Sequence, residues 1–481
     1  MLTNISFNRA TGGALTTKQL TFCKDVSPAI SNPVVWVSPS GNDSNCGTQA
    51  SPFATIAGAT DHLSRIHWQG GAQVLIDGAV NLGQSPKFCV CPSAGGNSIS
   101  LTIAGANPVT VTTTLALPTV PNGDWTPVAG TILMMTTYEL SDQVTAQRGD
   151  HLIPEGLVWN QTSPTTLQVL SRRATPRAAG DTVTLSRNVD SITWSGTMST
   201  GFIVNGEFFM RDLIMTQTGT GVTFSQGDAA QLNLNNINFS SSTGPLTSGF
   251  RLNATSCQLV NNSTNQNFSS QSIDSLISIS SSRIVNYDFF INSKVEISGS
   301  YMTSSGISNV SYLLARGDVI EADIFVSGES SHSIGNRTTI VGSITVTSTS
   351  LSIDAEPDVG GSALEIINST EHGLLILGGV VMAHDAPLII TDVANTSIRV
   401  EAGIFQATGT SPITITNSPD AVFGIDSRDG SIVRFPFSGS TITGVPAGTD
   451  DLAINGVGTA ALPAAKAVVG PGADGAAIYV H

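Results

Sequence analysis

Charged residues are scarce in this sequence, and lysine is the scarcest of them. Only 11% of the 481 residues are charged, the formal net charge is −15, and lysine occurs at five positions. Proteins that bind nucleic acid or anionic lipid need clustered positive charge, which this chain lacks. The composition therefore argues against nucleic-acid binding and against attraction to an anionic membrane.

The sequence also lacks a long apolar run. Its most apolar stretch, GLLILGGVVMA at 373–383, is too short to cross a bilayer and is interrupted by two adjacent glycines. The first residues, MLTNISFNRATGG, show neither the basic start nor the apolar stretch of a secretory signal. We therefore expect no membrane insertion. Because the Ser-, Thr- and Asn-rich composition resembles that of extracellular proteins, we expect release by lysis or by particle assembly, with non-classical export as the alternative.

Cysteine is infrequent and unevenly spaced. The cysteines are Cys23, Cys46, Cys89, Cys91 and Cys257. An odd, scattered set fits neither a disulfide scaffold nor a zinc site, and the seven histidines are equally dispersed. We expect most of these thiols to be small buried side chains, and we expect no metal and no cofactor.

Short alternating strands, in contrast, are abundant from about residue 200 onward. Each unit consists of two apolar-x-apolar steps joined by a bend of Asn, Gly, Ser or Ala. The units are FFMRDLIM (208–215), LNLNNINF (232–239), LNATSCQL (252–259), VEISGSYM (295–302), TIVGSITV (339–346), LILGGVVM (375–382) and IRVEAGIF (398–405). Their spacing predicts coils of roughly 20 to 25 residues, about ten coils over 200–437, and a rod about 50 Å long.

Strands of this length cannot bury their apolar side chains alone, whereas stacked coils bury them in a common interior. We therefore predict an all-β solenoid, a parallel β-helix. A β-sandwich, the alternative, would favour hairpin turns and would lack a constant period. The side chains predicted to point inward are Leu213, Ile237, Phe239, Leu259, Ile297, Ile344, Leu375, Leu377, Val380 and Phe405.

One amphipathic helix is predicted near the start of the chain, over 52–67. Ser51 is a good N-cap, Pro52 fits the first helical position, and Gly70-Gly71 ends the segment. An open solenoid exposes unpaired backbone at its end. We therefore expect this helix to cover the amino-terminal end of the stack.

The residues around this helix carry a resemblance to a known family. They are Val37-Ser38, Gly41, Asp43, Gly47-Thr48, Pro52-Phe53 and Thr55-Ile56, between the strands VVWV and AQVLID. This order is similar to the amino-terminal entry of pectin-lyase-like right-handed parallel β-helix proteins, which include lyases, hydrolases and phage or viral tailspikes. The resemblance implies a right-handed β-helix. The clustered Asp residues and the Gly-His-Gly of family enzymes that cut polygalacturonate do not occur in the coils.

Changes in strand pattern and composition along the sequence predict five segments. Residues 117–199 alternate like strands but turn at irregular spacing, which predicts a β-rich insertion, and the end of the chain is rich in Ala and Gly. The predicted segments are an N-terminal arm for attachment (1–33), the capping helix with the first coils (34–116), the insertion (117–199), the main β-helix (200–437) and an oligomerisation tail (438–481).

Carboxylates are the candidates for catalysis. Glu296 and Glu321 lie 25 residues apart, so stacked coils would place them about 5 Å apart, with Asp318 and Asp323 nearby. The non-catalytic alternative, which we favour, is that these acids are solvated residues on a polar surface. If sugar binds, Trp125, Trp159 and Trp194 are the candidates to stack on it.

Two other motifs have ordinary explanations that we favour over functional ones. The oxygen-rich loop GNDSN at 41–45 offers calcium ligands but lacks a following acidic anchor, so we expect a loop. Arg-Gly-Asp occurs at 148–150 and 316–318, where it is typical of turns as well as of integrin-binding loops.

The leading functional prediction is a virion surface protein, a spike, fibre or tailspike that presents the β-helix for host attachment. Its expected partners are two further copies in a homotrimer, other virion proteins and a host surface glycan. The alternatives are a polysaccharide hydrolase or lyase whose acids converge only in three dimensions, and a glycan-binding adhesin without catalysis.

Overall fold

The computed structural model describes the whole chain apart from a set of segments. These are 1–29, 67, 83–86, 90–99, 120–125, 129–130, 134, 171–176, 196–199, 206, 219–221, 227–230, 242–246, 249–250, 256, 262–275, 281, 286–288, 291–293, 304–306, 311, 317, 328–330, 336–337, 355–363, 410, 417–420, 437, 446–450, 455–456, 464–466 and 473. Among the described residues, no helix is both long enough and apolar enough to span a membrane.

The described strands form a parallel β-helix with three faces, which we name A, B and C in chain order within a coil. Face A comprises Val34–Val37, Gly71–Ile76, Ser100–Gly105, the first halves of Glu207–Thr218 and Gln231–Ser241, Arg251–Thr255, Leu276–Ser280, Lys294–Ser298, Tyr312–Arg316, Ser331–Gly335, Ser350–Asp354, Val380–His384, Ile404–Thr408, Ile432–Phe435 and Ala477–Val480. The fold prediction is therefore confirmed.

Face B follows face A around the first corner. It comprises Ala79–Asn81, Ser191–Ser195, the second halves of Glu207–Thr218 and Gln231–Ser241, Gln258–Asn261, Arg283–Val285, Tyr301–Thr303, Val319–Glu321, Thr338–Val341, Leu364–Ile367, Leu388–Thr391, Ile413–Thr416 and Thr441–Thr443.

Face C completes each coil. It comprises Lys87–Cys89, Thr200–Asn205, Val222–Gln226 and Thr247–Ser248, then Phe289–Phe290, Ile307–Val310, Ile324–Ser327, Ile344–Thr347, His372–Leu377, Thr396–Glu401, Phe423–Arg428 and Leu452–Ile454.

Alternation along every strand sends one set of side chains into a common interior, where like residues stack in register. Ile297, Ala315, Ile334 and Ile353 form one such column on face A, and each is at most 1% exposed. Consecutive members of this column are 18 or 19 residues apart, so the central coils are shorter than the spacing predicted from sequence.

Seven of the ten side chains predicted to point inward are buried, and three are not. Leu375, Leu377 and Val380 point outward, while Leu374, Ile376 and Val381 fill the interior. The reason is that every residue of 374–377 is apolar, so a one-residue shift of register leaves the hydrophobic pattern unchanged. That part of the prediction is wrong.

The corner between faces A and B carries a ladder of hydrogen bonds from coil to coil. Ser282 Oγ accepts from the Cys257 amide (3.0 Å), Ser300 Oγ from the Ser282 amide (3.1 Å), and Asp318 Oδ1 from the Ser300 amide (2.8 Å). These corner residues are buried, and each supplies an acceptor to an amide that the sheet ladder leaves unpaired. Asp212 and Asn236 make the sharp bend at this corner in earlier coils, with φ of 57° and 52°.

The amino-terminal helix is present, although shorter than predicted. It runs Ile56–Arg65 with Thr55 as N-cap, whose side chain accepts from the Gly58 amide, and it buries Ile56, Ala59 and Leu63. Ser51 does not cap it. Ser51 forms a β-bridge with Thr48, and Phe53 bridges to Val37, so the chain stays extended past Pro52.

A six-stranded antiparallel sheet interrupts the stack between faces A and B of an early coil. Its strands are Val109–Thr114, Met135–Glu139, His151–Ile153, Gly156–Ser163, Thr166–Leu170 and Thr182–Arg187, and a separate antiparallel pair joins Thr126–Val128 to Thr131–Leu133. The boundaries differ from the predicted 117–199, because the sheet begins at Val109 and Ser191–Ser195 already belongs to face B. We call this unit, 109–187, the inserted sheet.

The carboxyl-terminal segment closes the stack with strands of opposite direction. Ala477–Val480 adds a last parallel strand to face A and pairs with the antiparallel strand Ala467–Val469, while Val457–Ala460 pairs antiparallel with face C. At the other end, Ile30–Ser31 pairs with Trp68–Gln69. The last part of the predicted tail is thus built into the sheets of the β-helix.

Candidate functional site

The predicted pairing of Glu296 with Glu321 does not form. Glu296 lies on face A between Ser278 and Leu314, whereas Glu321 lies on face B between Thr303 and Val341. The coil here is 18 residues long, so a separation of 25 residues spans one coil and then passes a corner. The proposed stacking is wrong for this reason.

The two nearby aspartates have structural partners. Asp318 is fully buried and accepts from the backbone amides of Ser300 and Arg316. Asp323 is exposed and accepts from the amide and hydroxyl of Ser343 at 2.9 and 2.8 Å. Both carboxylates therefore organise turns between neighbouring coils.

The two tryptophan candidates that the structure describes, Trp159 and Trp194, do not offer an exposed ring face. Trp194 is 2% exposed and lies inside the stack, with its ring centroid 6.3 Å from that of Phe239. Trp159 is 7% exposed and packs between the inserted sheet and face B. Trp125 lies outside the described residues.

The oxygen-rich loop at 41–45 is a cap for the helix. Asp43 Oδ1 accepts from the amides of Ala54 and Thr55, and Oδ2 accepts from the Thr55 hydroxyl at 2.8 Å. A carboxylate bonded to free amides just before a helix is favourable for the helix dipole. The Asp residues of both Arg-Gly-Asp sequences, Asp150 and Asp318, are buried.

Two described thiols differ in environment. Cys257 is buried at the corner between faces A and B, and burial raises the pKa of its thiol to about 12. Cys46 is exposed, and hydrogen bonding to Thr48 lowers the pKa of its thiol. Among the described residues, no group of three or more His, Cys, Asp or Glu side chains could hold a metal ion.

Face C gathers charged side chains that the sequence does not place together. The register aligns Leu375, Arg399 and Asp426 in one outward column on three successive coils. It aligns Leu377, Glu401 and Arg428 in the next column. We call the four charged residues, together with His372, the face C cluster.

The two acids of this cluster lie on adjacent coils of the same face. Glu401 forms an ion pair with Arg399, and its side chain is 24% exposed. Asp426 forms an ion pair with Arg428, and its side chain is fully buried. One coil of about 4.8 Å and two residues of about 3.3 Å place their backbones about 8 Å apart.

His372 adds a neutral imidazole to this cluster. It is 9% exposed, and its Nε2 accepts from Arg399 Nη1 at 3.3 Å, since a guanidinium can only donate. Burial and then the positive charge of Arg399 lower the pKa of His372. Within the described part of the chain, His372 Nδ1 and Arg399 Nε are buried without a hydrogen-bond partner.

Apolar side chains approach the cluster along the same columns. Phe325 pairs with Thr345, which pairs with Leu375, so an aromatic ring stands three coils before Arg399. Phe325, Leu375 and Leu377 are all partly exposed. Face C therefore combines partly exposed apolar side chains with the charged residues of the face C cluster, of which Asp426 is buried.

The sequence holds only a weak signal for this site. Arg399-Val400-Glu401 and Asp426-Ser427-Arg428 each place two charges on one side of a strand. These two segments are read as neighbours only when the length of the coil between them is known. His372, 27 residues before Arg399, carries no local signal at all.

Comparisons with known proteins give no family and only distant structural similarity. No family model matches the chain, and no curated protein matches it. The A-module of mannuronan C-5 epimerase AlgE4 from Azotobacter vinelandii is 12% identical, with 88% of this chain and 99% of that chain covered and a TM-score of 0.28. A glycoside hydrolase is 9% identical, with 88% and 96% covered and a TM-score of 0.21. The GH136 lacto-N-biosidase from Eubacterium ramulus is 10% identical, with 88% and 66% covered and a TM-score of 0.24. At such values we draw no function from them.

Proposed function

We propose that this protein binds a polysaccharide along face C. The observation that carries the proposal is the arrangement of partly exposed Phe325, Leu375 and Leu377 in the columns that lead to the face C cluster. Sugars present an apolar face and a rim of hydroxyls, so a binding surface needs apolar contact beside precisely placed polar groups. Arg399 and Glu401, both partly exposed, supply such groups.

A matched pair of variants tests this proposal. Phe325 and Phe209 are both partly exposed phenylalanines at outward positions, but Phe209 lies on face A. Phe325→Ala should weaken polysaccharide binding about five- to tenfold, whereas Phe209→Ala should leave it unchanged. Binding would be measured on a panel of neutral and acidic polysaccharides by affinity electrophoresis and calorimetry. Equal effects of the two variants would overturn the assignment to face C.

Hydrolysis of the bound glycan is a second candidate function, favoured by the two acids on adjacent coils. The backbones of Glu401 and Asp426 lie about 8 Å apart, and inverting glycosidases place their two carboxyl groups about 6.5–9.5 Å apart. Glu401, the acid with solvent access, is the residue assigned to proton transfer with the substrate. Glu401→Gln should then abolish release of reducing ends while binding persists, and Glu296→Gln on face A is the control. Binding without cleavage by the unmodified protein would leave the non-catalytic function alone.

The trimeric virion spike stays a prediction, and it is compatible with glycan binding. Light scattering on the full-length protein tests the subunit count. Capsid, portal or tail genes beside its gene would support the assignment to a virion. A monomer at micromolar concentration would contradict the trimer.

A further inference from the structure

The inserted sheet packs onto the outer surface of face B, a different face of the β-helix from the one that carries the face C cluster. Leu157, Trp159 and Leu170 of the inserted sheet form one buried cluster with Tyr301 and Val319 of face B. The rings of Trp159 and Tyr301 meet edge to face, with centroids 5.1 Å apart. We call this contact surface between the inserted sheet and face B the seam. Side chains from both units line it.

Two arginines, one from each unit, share the ring of Trp159. The guanidinium carbon of Arg148 lies 4.8 Å from the ring centroid, and that of Arg283 lies 5.1 Å from it. Arg148 also donates through Nε to the Trp159 carbonyl at 3.0 Å. Two like charges around one ring repel each other, so this arrangement favours a negative charge between or beside them.

One carboxylate of face B at this seam, that of Glu321, is bonded to a tyrosine. Glu321 of face B accepts a hydrogen bond from the Tyr301 hydroxyl, and burial, followed by the negative charge of Glu321 and this bond, raises the pKa of Tyr301. Within the described part of the chain, Arg283 Nε is buried and has no hydrogen-bond partner. Burial, followed by the neighbouring charge of Arg148, lowers the pKa of Arg283. A buried donor on a cation is costly when nothing accepts from it.

A second unsatisfied group lies on the adjacent coil. Gln258 pairs in register with Arg283, and its Nε2 donates to Asn238 Oδ1 at 3.0 Å. Its Oε1 is buried and lacks a partner among the residues that the structure describes. The seam therefore offers a cationic donor and, one coil away, a neutral acceptor.

We infer that this seam is a binding site for an anionic sugar residue, held by Arg148 and Arg283 through its acidic group and by Gln258 through a hydroxyl. Guanidinium groups bind planar carboxylates and sulfate esters with paired, charge-assisted hydrogen bonds. A hydroxyl donor would satisfy Gln258 Oε1, which a bare inorganic anion cannot do. The site is separate from the face C cluster and does not depend on the function proposed there.

The experiment compares three small probes on the full-length protein. Sodium glucuronate, glucose and inorganic sulfate would be titrated by calorimetry at low ionic strength. Glucuronate should bind more tightly than sulfate, and glucose should bind at least about tenfold more weakly than glucuronate. Binding of sulfate alone, or equal binding of glucose and glucuronate, would overturn the inference.

Variants then locate the site. Arg283→Gln and the exposed Arg148→Gln should each weaken glucuronate binding about tenfold. The control is Arg434→Gln, because Arg434 also stacks on an aromatic ring, that of Tyr479 at 5.3 Å, but lies on face A. Near-ultraviolet circular dichroism checks that the seam stays folded in each variant. If Arg148→Gln folds normally and binds glucuronate as the unmodified protein does, the inference is wrong.

Discussion

The coils and the inserted sheet handle their buried polar groups in different ways. In the coils, small side chains at the corner between faces A and B each accept from a backbone amide of the preceding coil, as Ser282, Ser300 and Asp318 do. In the inserted sheet, a few charged side chains pair with the buried polar groups. Buried Glu155 accepts from the Tyr138 hydroxyl (2.7 Å) and from Arg177 (2.8 Å), and Asp150 pairs with Arg187.

This difference has a physical origin. A repeat presents the same unpaired amide at the same corner in coil after coil, so a small acceptor at that position suffices each time. The inserted sheet has no repeat and closes one core of its own, which includes Tyr138, Leu167 and Val169. Its irregular connections are fixed by a small number of stronger, charge-assisted bonds. In the coils, many small residues therefore each contribute a little to stability, whereas in the inserted sheet a few charged residues contribute more each.

The largest expected effect comes from the interior of the coils. Phe405 is fully buried, so Phe405→Ala should lower the free energy of unfolding by about 3–5 kcal/mol. Met382, on the preceding coil of face A and 51% exposed, is the control, and Met382→Ala should cost less than about 1 kcal/mol. Urea denaturation followed by circular dichroism measures both. Similar losses for the two variants would contradict the assigned register.

A smaller and local effect is expected in the inserted sheet. Glu155→Gln removes a buried charge that pairs with the partly exposed Arg177 and accepts from the buried Tyr138 hydroxyl, and the free energy of unfolding should fall by about 2–4 kcal/mol. Hydrogen exchange should show faster exchange in Thr166–Leu170 while the face A strands keep their protection. Asp181→Asn, which alters the more exposed partner of Arg177, is the control. Uniform loss of protection along the whole chain would show that the two regions unfold as one unit.

Substitution of one corner residue of the coils should lower the free energy of unfolding by a smaller amount. Asp318→Asn keeps the shape but replaces one accepting oxygen by a donor that faces a backbone amide, so about 1–3 kcal/mol should be lost. Asp323→Asn, at an exposed turn, should cost less than about 1 kcal/mol. If both substitutions are neutral in urea denaturation, the corner ladder contributes little to stability.

The smallest effect has the opposite sign. Burial raises the pKa of Glu365 on face B, so the folded chain holds this proton more tightly than the unfolded chain does. Its contribution to stability is therefore present at low pH and is lost as the pH rises through the ordinary carboxyl range toward the folded pKa. Glu365→Gln should raise the urea midpoint at neutral pH and lose that advantage near about pH 4. A lower midpoint at neutral pH would show that the bond from Thr339 outweighs burial.

The fold could be predicted because its cause repeats. Ile237, Phe239 and Ile297 alternate with polar residues, and that alternation alone identifies their inward faces. Where the alternation is lost, as at 374–377, the register cannot be predicted from sequence. The apolar stripe of the helix predicts its presence, but its start depends on the extended pairing of Phe53 with Val37.

The candidate site could not be predicted from sequence for a related reason. The pairing of Glu401 with Arg428 in strand register depends on the number of residues in the coil between them, and coil length varies along this chain. An error of a few residues moves a side chain past a corner to another face, as Glu296 and Glu321 demonstrate. The linear sequence gives the residues of a site on a solenoid, and the coil lengths decide which of them meet.

The place where the inserted sheet leaves the stack has a consequence for how this chain can be altered. Asp190, 2% exposed, accepts from the Gly78 amide through one carboxylate oxygen and from the Asn107 amide through the other, both at 2.7 Å. The chain that departs after Asn107 and the chain that returns before Ser191 are therefore held side by side, and the coil is complete without whatever lies between them. Because Asp190 holds these two segments together, a foreign module with closely spaced ends could replace 109–187 while the β-helix stays folded.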